Sequence, residues 1–164
     1  MVVMIASWDR WRFPMAIAPI DPEIKGHQNI ILRHMLTTCE LPAWVRQVVV
    51  HADAGFAANK TLQLIEKRHW ADVLAMPRTR QFTHGKSLRD LVRSLPKSCS
   101  CRRASWKPDG GRRDDWVFMR SATLNHLGDV TIVLAKKRRT DGPQHVKLFV
   151  TNLTEVRAGA ILSA

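Results

Sequence analysis

The sequence predicts an α/β fold, and three observations carry that expectation. Val48, Val49 and Val50 form a β-branched run that leads into Asp53, Ala54 and Gly55, the pattern of a strand buried on both faces that delivers an acid to its own C-terminal edge. AANKTLQLIEKRH (57–69) then places Leu62 and Ile65 on one helical face, and ADVLAMP (71–77) follows as a second short apolar strand. Together they make a strand–helix–strand unit, whose two strands should be parallel with a right-handed crossover. Finally, residues 116–123, 128–135 and 146–151 read as three antiparallel strands separated by turn residues.

Before the organising strand, residues 2–7 are apolar and β-branched. Residues 10–20 alternate Trp11, Phe13, Met15 and Ile17 against Arg12, Pro14, Ala16 and Ala18. That period of two predicts a strand pair joined near Trp8, Asp9 and Arg10, with Asp9 a turn former rather than a catalytic acid. Pro14 and Pro19 each remove a ladder donor, which assigns the second strand to a sheet edge. After the connection DPEIKG (21–26), Ile31, Leu32, Met35 and Leu36 recur at helical spacing and predict an amphipathic helix over 27–38. His34 lies beside that stripe as a boundary residue, and Pro42 keeps the helix from running on into Trp44.

From 78 to 113 the texture changes. Leu88, Leu91 and Leu95 suggest a short helix within 86–95, while PKSCSCRRASWKPDGGRRDD (96–115) has no period and reads as exposed loop. Such a basic loop is either a nucleic-acid contact or disordered. Farther on, Lys136, Lys137, Arg138 and Arg139 are four consecutive cations at a strand end, predicted to project into solvent. They are either a charged edge that discourages sheet-to-sheet association or a DNA contact.

With 164 residues the chain makes one ordinary domain, or a domain with a substantial insertion. Its net charge of +12 divides unevenly, +3 over residues 1–80 and +9 over 81–164, so the second half is the part expected to meet phosphate. Three cysteines form no disulfide framework and suit a reducing cytosol. Cys99 and Cys101 are spaced too tightly for a usual zinc pair, and no second pair completes four ligands. No apolar run approaches the roughly 20 residues that span a bilayer. A cytoplasmic protein without membrane association is expected.

On VVVHADAGF (48–56), with WRFPMAIAPI (11–20) upstream and LGDVTIVLAKKRRTDGP (127–143) and KLFVTNL (147–153) downstream, the chain resembles the DDE-class transposases of bacterial insertion sequences. The resemblance runs along most of the chain in the family's order. It implies an incomplete ribonuclease H-like mixed sheet with helices over 1–80, a β-rich insertion over 81–153 and the start of a truncated helix over 154–164. In that family three acids hold two Mg²⁺ or Mn²⁺ ions for cutting and joining DNA. Carried over residue by residue, one acid lands: Asp53, as the second catalytic and metal-binding member. The first belongs on a strand before Val2, and the third on a helix after Ala158 in a Tyr-Arg-Glu setting, whereas this chain has no Tyr.

The expected function is therefore that of an internal transposase fragment, inactive alone. Its DNA contacts would be Lys136, Lys137, Arg138 and Arg139 with Arg102, Arg103, Arg112 and Arg113. It would act either as a homo-oligomer or with missing segments supplied by another chain. The first family strand would lie centrally, so its absence should leave two strands either paired across a gap or with unpaired backbone groups. The alternative is a small basic nucleic-acid-binding protein without catalysis, in which Asp53 caps a helix or closes a turn.

Overall fold

Chain-local patterning accounts for most elements of the structure, a computed structural model that describes residues 1–8, 11–95, 102–106, 113–153 and 162. The period-two segments form an antiparallel hairpin, β1 (Val2–Trp8) and β2 (Trp11–Ala18), with Val2 opposite Ala18 and Trp8 opposite Trp11. The expected turn at Asp9 and Arg10 lies outside the described residues. Pro14 faces Ile5 immediately after a register shift between Met4 and Ile5, so the residue without an N–H sits at an irregularity of the ladder. The larger β2 side chains Met15 and Ile17 face outward and are exposed, while Ala16 and Ala18 pack inward against α1 (His27–Thr38). Small inward residues let the helix approach the hairpin closely.

Helix α1 buries Ile31, Leu32, Met35 and Leu36, the stripe the spacing predicts, and His34 is exposed. Ile31 and Met35 pack on the hairpin beside Val2, whereas Leu32 and Leu36 pack on Ile65 of α2 (Asn59–Lys67). The helix thus bridges the hairpin to the rest of the chain.

The strand–helix–strand unit is present as β3 (Val49–Ala52), α2 and β4 (Ala71–Ala75), with β3 and β4 parallel and Val50 opposite Asp72. Strand β3 is at the edge of its sheet and its valines are only half-buried, which corrects the expectation of a strand buried on both faces. The physical reason is that β4 pairs with it on one side while the hairpin stays a separate two-stranded sheet.

The six-stranded sheet runs β3-β4-β8-β7-β6-β5, where β5 is Arg102–Trp106, β6 Arg113–Leu124, β7 Gly128–Lys136 and β8 Lys147–Thr151. All pairings beyond β3–β4 are antiparallel, giving the three antiparallel strands expected from the C-terminal half and a mixed sheet. Strand β8 pairs with β4, so the C-terminal strands continue the sheet that β3 and β4 begin.

The segment read as exposed loop contains β5 and the first residues of β6, a second correction. At the sheet's outer edge β5 pairs with β6 alone, and its sequence, Arg102-Arg103-Ala104-Ser105-Trp106, has too few apolar residues to give a period-two signal. Residues 96–101 and 107–112, with Cys99 and Cys101, lie outside the described residues, as do 154–161 of the expected C-terminal helix.

One sheet face carries the main core, Leu74, Ile132, Leu134, Leu148 and Val150, under Leu62 of α2 and Leu88, Leu91 and Val92 of α3 (Leu88–Ser94). Helix α3 starts at a reciprocal cap in which Asp90 N–H donates to Ser87 Oγ (3.2 Å) and Ser87 N–H to Asp90 Oδ2 (2.8 Å). On the opposite face Val73, Val117, Val133 and Ala135 cluster, with Leu162 against them. Full burial of side chains such as Leu74, Leu88 and Ile132 contributes roughly 1.5–3 kcal/mol each.

Candidate functional site

Asp53 leaves β3 at its C-terminal end in an extended conformation (φ −79°, ψ 176°) and caps a single 3₁₀ turn, Ala54–Phe56. Its Oδ1 accepts from Gly55 N–H (2.9 Å) and its carbonyl from Phe56 N–H (3.1 Å). A Cβ at position 55 would lie 3.2 Å from that same Oδ1, so glycine lets the carboxylate close onto the turn. The turn is tied to α1, because Asn29 Nδ2 donates to Gly55 O (2.9 Å). Asp53 is exposed, and its remaining lone pairs face solvent.

Two divalent ions a few ångström apart need several converging carboxylates. Asp72 stands opposite Val50, three residues back along the strands from Asp53 and therefore roughly 10 Å away. It is also held by Asn152, so it does not complete a site with Asp53. The described residues do not fit a two-ion centre, and no three His, Cys, Asp or Glu among them converge as metal ligands.

Among the described residues Asp72 is the buried acid, and sequence reasoning passed over it. It is 8% exposed and borders a cavity of about 260 Å³, together with Glu66, Asp129 and Asn152. Its Oδ1 accepts from Asn152 N–H (2.9 Å) while its own N–H donates to Asn152 Oδ1 (3.0 Å). Burial pushes its carboxyl up to about 6; the Glu66 charge adds to that rise and the Asn152 N–H opposes it. The available signal was an aspartate opening an otherwise apolar strand, a placement that demands a partner.

The predicted cations are only partly assembled. Lys137, Arg138 and Arg139 are exposed beyond β7, in a turn where Arg138 N–H donates to Asp141 Oδ2 (2.8 Å). Lys136 does not project, which corrects the four-cation reading: it is 8% exposed, still in the ladder opposite Trp116, with its aliphatic stem covered. Arg103 is opposite the same Trp116 from the other side, and the Arg139 guanidinium lies 5.4 Å from that ring, so Arg103, Lys136 and Arg139 gather around one tryptophan.

Arg103 also pairs with Asp114, which neutralises part of this charge. Arg102 and Arg113 are backbone members of β5 and β6, opposite Val117 and Trp106 respectively. Arg112 is outside the described residues.

Among the described residues no helix is long and apolar enough to cross a membrane. No protein-family model matches the chain, and no curated protein matches it in sequence.

Proposed function

We propose that this chain is part of a DDE-class insertion-sequence transposase core, with a ribonuclease H-like sheet, that binds DNA and does not cut it alone. The observation that carries the reading is Asp53 at the C-terminal end of β3 in a parallel β3–α2–β4 unit, the side of such a unit where ligands bind. In this reading Asp53 is one carboxylate ligand for Mg²⁺ or Mn²⁺ in the complete enzyme. Other carboxylates would come from further transposase sequence or from another chain. Lys137, Arg138 and Arg139 would meet the DNA backbone beside Arg103 and Lys136.

Duplex binding should be sequence-independent and fall on the order of a hundredfold between roughly 50 and 200 mM salt if about four phosphates are contacted. Replacing Lys137, Arg138 and Arg139 together by alanine should flatten that salt slope in fluorescence anisotropy. An affinity indifferent to salt would reject DNA as the partner. Supercoiled plasmid should remain uncut in Mg²⁺ or Mn²⁺, since one carboxylate cannot hold two hydrated ions. Nicking that disappears in Asp53→Ala would overturn the claim of inactivity.

A second reading, a basic nucleic-acid-binding protein without catalysis, is favoured by the work Asp53 already does in capping its own turn. Divalent-metal titration separates the two. Shifts centred on Asp53 and lost in Asp53→Asn belong to the transposase reading alone.

A further inference from the structure

The segment that follows β4 folds back along the end of β6. Asn125 N–H donates to Gln81 O (3.0 Å), Thr83 N–H donates to Thr123 O (3.3 Å), and Phe82 bridges to Leu124. Between this segment and the β6–β7 turn lies a cavity of about 300 Å³ lined by Pro77, Thr79, Arg80, Gln81, Asn125 and His126. Apart from Pro77, every lining side chain can donate a hydrogen bond, and none is acidic.

Arg80 is the charge in this cavity. It is half-buried, and its guanidinium is held by neutral acceptors: Nη1–H donates to Asn59 Oδ1 and Nη2–H to Ala57 O (2.7 Å). No carboxylate among the described residues forms an ion pair with it. Burial lowers its pKa, the sign of a cation that has lost water without gaining an anion. The anchoring leaves part of the donor fork uncommitted and fixes its orientation. His126, also in the lining, adopts a left-handed backbone conformation (φ 65°) that is uncommon for a non-glycine residue.

We propose that this cavity is an oxyanion site of the phosphate class, in which Arg80 supplies the charge and Thr79, Gln81, Asn125 and His126 supply further donors. A guanidinium fork matches two phosphate oxygens, and donors arriving from other directions suit a tetrahedral anion better than a planar carboxylate. The volume is at the lower end of small-ligand pockets and leaves room for an ester substituent on the phosphate. The lining includes neither Asp53 nor the cations around Trp116, and the proposal stands whether or not the chain is part of a transposase.

The test is a titration of the ¹⁵N-labelled full chain with inorganic phosphate, ionic strength held constant with chloride. Saturable shifts are expected at the Arg80 Nε–H and at the side-chain and backbone amides of Asn125. Gln81→Glu places a carboxylate on the cavity wall without touching the anchors of Arg80, and should weaken the phosphate response about tenfold or more at unchanged thermal stability. Linear shifts without saturation, or an undiminished response in Gln81→Glu, would refute the site.

A second arm uses a short DNA duplex without terminal phosphates. Shifts of the same signals identify a phosphodiester backbone as the source, and a response to inorganic phosphate alone identifies a free oxyanion or phosphomonoester. Loss of duplex binding with the phosphate response intact would reject the DNA-binding reading while leaving this site in place.

Discussion

Asp72→Asn is expected to stabilise the protein at pH 7.5 by up to about 3 kcal/mol, the equivalent of a carboxyl moved from its ordinary 3.8 to about 6 by burial in the fold. Below about pH 3.8 the group is protonated in both folded and unfolded chains and contributes no difference. Between about 3.8 and 6 the folded protein holds a proton that the unfolded chain has released, so stability falls as pH rises through that window. Above about 6 the full cost of an ionised, desolvated carboxylate is present. Asparagine retains an oxygen to accept from Asn152 N–H and carries no charge at any pH. Thermal unfolding across pH 4 to 8 should show the variant higher by several degrees at the alkaline end and the two proteins converging toward the acid end. A variant less stable than the parent at pH 7.5 would mean that the ionised carboxylate is stabilising in place.

Arg68→Ala should lose about 3 kcal/mol of stability, because one guanidinium closes the end of a distant helix. Helix α1 carries no basic residue in its last turn, and its terminal carbonyls are satisfied instead by Arg68, which donates to Leu36 O, to Thr37 O (3.2 Å) and to Cys39 O (3.0 Å). The same group lies 4.2 Å from the centroid of the Trp70 ring. Charge-assisted bonds of this kind contribute roughly 1.5–3 kcal/mol each before the helix end relaxes toward water, and stacking on tryptophan adds on the order of 1 kcal/mol. Arg68→Lys should recover less than half of the loss, since a point cation cannot span three carbonyls and lie flat on a ring. Urea denaturation with an unchanged m value is the measurement. A loss under 1 kcal/mol in Arg68→Ala would show that solvent caps α1 equally well.

Period and residue type determined the elements that depend on neighbours along the chain. The Ile31, Leu32, Met35 and Leu36 stripe follows from 3.6-residue spacing, and the β3–α2–β4 unit and three C-terminal strands follow from apolar runs broken by turn residues. The capped turn at Asp53 is local in the same way, since its bond reaches two residues forward.

Tertiary structure decided which element covers which face. It put β8 between β4 and β7, left β3 at an open edge, and turned the larger β2 side chains outward. It also made Asp72 a partner of a residue eighty positions away, and seated Arg80 against Ala57 and Asn59, with no ion-pair partner among the described residues. Alternation identifies residues that share a face, whereas the packing partner of that face, and hence the solvation of an acid or a guanidinium, depends on contacts between segments far apart in the chain.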